Sequence, residues 1–163
     1  MIVRAATLAD ADNICTVLRA SITELCAHDH NNDPERLATW LNNKTPDTIR
    51  GWITQPDFHT IVAEDSGDII GVGGMFASGL IALNYVAPHA RFRGVSKALI
   101  ARLESIACEH GLAACRLEST KTALRLYESL GYLRDDSFAL VTTSGVTAIP
   151  LSKSLHRFTE NGG

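Results

Sequence analysis

The sequence predicts a mixed α/β fold: an antiparallel meander of strands, followed by a strand–helix–strand unit and preceded by several helices. Three observations carry this expectation. Three apolar runs, at 58–64, 69–77 and 80–86, follow one another with only Asp65-Ser66-Gly67-Asp68 and Ser78-Gly79 between them, as in consecutive hairpins. Beyond them Val95, Leu99, Leu103, Ile106 and Ala107 recur at helical spacing and lead to another strand-like run at 112–118. Ahead of them stand three helix-start signals. The order of elements excludes a repeated βαβ architecture.

Taken from the N-terminus, a short strand over 2–7 opens the chain. Thr7 and Asp10 are spaced as a capping box, and Ile14, Val17, Leu18, Ile22 and Leu25 then mark the buried stripe of a helix ending near Ala27. Its exit, 28–33, is polar and reads as a solvated helix end. Asp33-Pro34 and Thr45-Pro46 each place a capping residue before a proline at the first helical position, so two shorter helices start there. Leu37, Trp40 and Leu41 anchor the first, and Ile49, Trp52 and Ile53 the second. Within the meander, Gly71, Gly73 and Gly74 permit a bulge or close backbone packing. His110 and Gly111 terminate the long helix. Residues 121–132 form a short helix with Leu126 and Leu130 on one side and Gly131 as its C′ residue. Two last strands, 138–142 and 146–151, flank Ser144-Gly145, and the tail from Ser154 is expected to fray. A single domain over 1–155 with a flexible 156–163 follows.

With 163 residues and 45% hydrophobic content, the chain is long enough for one well-buried core. Its formal net charge of −3 excludes the global positive field of a nonspecific nucleic-acid or anionic-membrane binder. The opening residues lack a signal-peptide pattern, and no apolar run reaches the roughly 18 residues that span a bilayer. These features lead us to expect a soluble, cytoplasmic protein, monomeric or homodimeric. Cys15, Cys26, Cys108 and Cys115 contain no C-x-x-C pair and read as small reduced core residues. Cys26, His28 and His30 could ligate a metal, but no second ligand pair has recognisable spacing, and no metal is expected.

The chemically informative stretch is Arg91-Phe92-Arg93-Gly94-Val95-Ser96-Lys97, three cations around a glycine at the start of the long helix. A helix N-terminus exposes unpaired N–H groups and partial positive charge, so a glycine turn there can cradle a phosphate or pyrophosphate. A P-loop is excluded because Lys97 follows Ser96 without the Gly-Lys-Ser/Thr ending. A dinucleotide fingerprint is excluded because the glycines of the meander lead to another strand.

Together with Thr120-Lys121-Thr122-Ala123-Leu124-Arg125-Leu126-Tyr127 and Gly131-Tyr132, this stretch resembles the GNAT superfamily of N-acetyltransferases. That family carries Arg/Gln-x-x-Gly-x-Gly/Ala at the start of a helix and Asn-x-x-Ala-x-x-(apolar)-Tyr-x-x-x-Gly-(Phe/Tyr) further on. The preceding Asn84-Tyr85-Val86-Ala87-Pro88 matches the family's fourth strand leaving through Val-x-Pro. The resemblance is strong over about a third of the chain. Ser96 replaces a small glycine or alanine and Thr120 replaces asparagine, while the backbone donors remain.

The resemblance implies acetyl-CoA as co-substrate, a small-molecule or peptide amine as acceptor, and direct transfer in a ternary complex. It implies that the pyrophosphate lies on 91–97, that the backbone near Tyr85 and Val86 pairs with the pantetheine arm and polarises the carbonyl, and that Thr120 and Ala123 complete the cofactor-binding set. Tyr127 is the implied proton donor to the departing sulfur. The strand position where some members carry glutamate holds Leu80, so the candidate base is Glu118, or His28 or His30. His28, Asp29 and Tyr85 are the expected acceptor contacts. A non-catalytic acyl-CoA-binding module is the alternative.

Overall fold

The structure is a computed structural model that describes residues 1–138 and 148–155. Its elements in chain order are β1 (Ile2–Ala5), α1 (Ala11–Leu25), α2 (Ala27–His30), α3 (Pro34–Leu41), α4 (Pro46–Thr54), β2 (Phe58–Asp65), β3 (Asp68–Phe76), β4 (Leu80–Val86), α5 (Val95–Glu109), β5 (Ala114–Ser119), α6 (Leu124–Ser129), β6 (Leu133–Arg134) and β7 (Ile149–Ser154). Short 3-10 turns at Leu8–Asp10 and Pro88–Ala90 lead into α1 and towards α5. The described strands form one sheet in the order β1-β2-β3-β4-β5-β7-β6. All neighbours are antiparallel except β4 and β5, which α5 joins as a crossover.

Local chemistry accounts for the helix starts. The Asp33 carboxylate accepts from the Glu35 N–H at 3.0 Å, and the Thr45 hydroxyl accepts from the Thr48 N–H at 3.3 Å, each ahead of its proline. The Thr7 N–H donates to Asp10 Oδ2 at 2.8 Å, and the Asp10 N–H donates to the Thr7 carbonyl at 2.9 Å. Arg4 grips the same carboxylate with both terminal nitrogens, at 2.8 and 3.0 Å, and reaches Glu64 through Nε at 2.7 Å. The entry to α1 is thereby tied to β1 and β2.

The glycines of β3 work as close-packing positions. A Cβ on Gly71 would lie 2.7 Å from Val95 Cγ1, and one on Gly74 would lie 2.6 Å from the Phe58 ring. Side-chain-free backbone is what lets α5 settle on one face and Phe58 on the other. Both register shifts of the meander border this strand, one where Ile70 stands extra opposite Ala63/Glu64 and one where Ala82 stands extra opposite Gly74/Met75. The core formed between sheet and helices holds Ile14, Leu18, Ile49, Val62, Leu99 and Leu103, all with no exposed surface.

Several expectations need correction. Helix α1 stops at Leu25, and a separate short helix, α2, takes up residues expected to be a solvated exit. His30 is wholly buried there: its Nε2 donates to the Ile22 carbonyl at 3.0 Å, its Nδ1 accepts from the Asn32 N–H at 3.1 Å, and its ring meets Trp40 edge-on. The tail does not fray from Ser154, which pairs with Ala114, and the Leu155 N–H donates to the Ala113 carbonyl. Cys108, expected in the core, is exposed. Strand β6 was not legible beforehand. The expected strand at 138–142 lies outside the described residues apart from Phe138, as do the first two residues of the one expected at 146–151 and the tail 156–163. Among the described residues no helix is long and apolar enough to cross a membrane.

Candidate active site

The site begins with a parting of two strands. Strand β4 stays paired with β3 as far as Val86, but it pairs with β5 only at Leu80 and Ile81. The extra residue Ala82 follows immediately, and a bulge bends its strand away from a neighbour. From there on, the edge of β4 facing β5 has no ladder partner among the described residues, and its outward backbone groups are left to other donors and acceptors. A cavity of about 520 Å³ occupies the gap, lined by β4 residues Asn84, Tyr85 and Val86, by Leu117 and Glu118 of β5, and by Ser21, Leu25 and Cys26 of α1 and its C-cap.

At one end of this cavity lies the N-terminus of α5. Gly94 is its N-cap, in the left-handed region with φ +78°, and no side chain among the described residues caps the helix. A Cβ there would meet no atom within 4 Å, so the approach to the first N–H groups is open. Val95, Ser96 and Lys97 line the cavity with Arg91 and Phe92. Phe92 is a non-glycine residue at φ +63° and is 90% exposed, with the Arg91 guanidinium 4.5 Å from its ring centre. Arg93 does not line the cavity; its guanidinium bridges to Asp65 at 2.7 Å.

At the far wall, α6 carries Tyr127 into the cavity, buried to 6% exposure and packed edge-on against Tyr132 at 5.8 Å. Burial pushes its phenol up to about 12, against the opposing effect of a hydrogen bond from Asn84. That bond runs from Asn84 Nδ2 to Tyr127 Oη at 3.1 Å. Burial also raises the phenol of Tyr85, which packs against Ile22, Cys26 and Trp40. The Cys26 thiol is pushed up to about 12 by burial, which leaves it protonated and a poor nucleophile.

The loop that enters α6 is held from two sides. Thr120 Oγ1 accepts from the Ala123 N–H at 3.3 Å, so the threonine at the motif's asparagine position serves as a local cap. Asp29 accepts from the Thr122 N–H at 3.2 Å and from its hydroxyl. Thus Asp29 is buried against this loop and His28 is exposed, and neither lines the cavity. Thr120, Ala123 and Glu118 do line it. Among the described residues no group of three or more metal-ligating side chains occurs, and both ring nitrogens of His30 are already engaged.

Sequence reading overlooked Asn84, Ser21 and Leu25 as lining residues. The signal for Asn84 was present: an amide in the middle of the apolar run Leu80–Val86 is a poor strand former and asks for a reason.

The profile described as an acetyltransferase (GNAT) domain matches residues 27–155. No curated protein matches the chain. Among solved structures, a GCN5-related N-acetyltransferase, also described as a class-II aminotransferase, from Rhodopseudomonas palustris superposes with a TM-score of 0.83 at 22% identity, covering 94% of this chain and 95% of that one. The PaiA N-acetyltransferase from Thermoplasma acidophilum, in complex with coenzyme A, gives 0.79 at 17% identity over 94% and 98%. An aminoglycoside 6′-N-acetyltransferase complexed with coenzyme A gives 0.70 at 15% identity over 96% and 98%. These likenesses establish a shared fold. With the profile covering most of its length, the chain belongs to the GNAT acetyltransferase family.

Proposed function

We propose that the chain is an acetyl-CoA-dependent N-acetyltransferase that moves the acetyl group directly from the thioester to a primary amine held in the same cavity. The observation that carries this reading is the parted β4–β5 edge, which opens onto the uncapped N-terminus of α5. An extended amide-bearing arm can pair with a free strand edge, and a pyrophosphate suits a helix N-terminus. Coenzyme A is bound by two of the structural neighbours, and one of these acts on aminoglycosides, so a small-molecule amine is the favoured acceptor.

In this reading the N–H groups of α5 at Val95, Ser96 and Lys97 hold the pyrophosphate, and Arg91 and Lys97 add charge beside Gly94. The β4 edge at Tyr85 and Val86 aligns the arm and polarises the carbonyl. Glu118 stands on the cavity wall as the candidate base, directly or through water. Asp29 acts on the site indirectly, by fixing the loop that carries Thr120 and Ala123. Tyr127 donates to the departing sulfur. Its phenol stays protonated at neutral pH, and the burial that raises it also raises the basicity of a thiolate formed in the same cavity, so donation in the transition state remains matched.

Release of free thiol from acetyl-CoA across an amine panel tests the proposal. Amine-dependent release is expected. Stoichiometric coenzyme A binding without release for any amine would establish a non-catalytic acyl-CoA-binding module instead.

A further inference from the structure

We propose that Asn84 is the positioning residue of the proton donor: its side-chain N–H occupies the phenol oxygen of Tyr127 and so turns the phenolic proton away, into the cavity. The inference rests on the acetyltransferase reading above and adds to it a residue that no motif of the sequence marks.

Two observations meet at this amide. Asn84 and Tyr127 lie on different elements, β4 and α6, yet Nδ2 and Oη are 3.1 Å apart at the wall of the cavity. The other end of the amide, Oδ1, is buried without a hydrogen-bond partner among the described residues. An aliphatic side chain would suit this strand better on both counts, since asparagine is a poor strand former and an unpaired buried acceptor destabilises. The amide is thus kept at a local loss, and the bond it makes is to Tyr127.

The direction of that bond decides what the phenol can do. A phenol oxygen that accepts from an amide N–H keeps its own O–H available as donor. Were a carboxylate in the same place, it could only accept, and the phenolic proton would be captured. The amide also stabilises the phenolate as the proton leaves, offsetting part of the burial that makes Tyr127 a weaker acid. In the transfer step a C–N bond forms between amine and acetyl carbon as the C–S bond breaks, and the sulfur takes the Tyr127 proton to leave as a thiol. The proton shed by the nitrogen then returns through solvent to the phenolate, restoring the enzyme.

The test uses Asn84→Leu, which removes the donor, and Asn84→Asp, which nearly preserves shape but reverses the bond. A fluorinated tyrosine at position 127 has a more acidic phenol, whose titration is read by ¹⁹F NMR without any turnover. Both substitutions should raise the Tyr127 titration midpoint, Asn84→Asp the more. Single-turnover acetyl transfer should fall about 10- to 100-fold, while coenzyme A affinity changes less than about twofold. With a thioester whose leaving thiol is much more acidic, the loss should shrink to a few-fold, because less protonation is required. A purely structural role would leave the Tyr127 midpoint unmoved or lower both thioesters alike, and either result in a folded variant would overturn the proposal. Turnover by the parent with an unmoved midpoint in both variants overturns this proposal alone, whereas absence of turnover in the parent overturns the acetyltransferase reading and this proposal with it.

Discussion

Gly94 combines a left-handed backbone with open space where a side chain would begin, so two separate penalties attend its replacement. Any L-residue there is strained by about 1 kcal/mol, and an acidic one also repels the anion the helix N-terminus would hold. Gly94→Glu should leave the protein folded and weaken coenzyme A at least about tenfold by calorimetry. Arg93→Ala is the informative companion. Because Arg93 is held by Asp65 outside the cavity, its loss should change affinity by less than about twofold, whereas Arg91→Ala or Lys97→Ala should do more. Sequence alone could not separate these three cations, since all lie within one turn of the glycine and only the fold shows which of them finds a carboxylate.

Between elements, the site depends on a clamp that no motif announces. Asp29 of α2 holds Thr122 of the loop entering α6, across a separation of 93 residues. Asp29→Ala leaves two donors of that loop without their carboxylate. Urea unfolding should show a loss of about 1 to 3 kcal/mol, and Thr122→Val should not add fully to it, because the two residues share one interaction. Most elements were legible because each is written locally: proline after a capping residue at α3 and α4, alternating apolar runs at β2 to β4, a glycine after α6. What escaped depends on partners that only tertiary packing brings together. His30 reads as a polar helix end until Trp40 and the Ile22 carbonyl enclose it, and β6, only two residues long, exists because β7 pairs with it. In the site, the phosphate-type turn and Tyr127 were visible as motifs, whereas Asn84 acquires meaning only once α6 is folded against β4.

On the scale of the whole molecule, one ion pair couples the sheet edge to the first helix and sets part of the acid stability. Arg4 holds Asp10 to about 2, below its ordinary 3.8, chiefly by direct hydrogen bonding. A carboxylate lowered on folding contributes stability above its unfolded value and loses it as pH falls through the folded one. The contribution is roughly 2 kcal/mol and should disappear between about pH 4 and pH 2. Thermal melts should therefore find Asp10→Asn less stable than the parent at pH 7 and nearly equal to it near pH 2. The same fold brings the strand edge, the helix N-terminus and the α6 tyrosine around one cavity, the assembly proposed above to transfer acetyl groups with Tyr127 as the acid. The most direct measurement is single-turnover acetyl transfer at saturating amine in the parent and in Tyr127→Phe, which removes one oxygen and keeps the ring. A fall of about 10²- to 10⁴-fold with coenzyme A affinity unchanged is predicted, and an equal rate in the two folded proteins would contradict it.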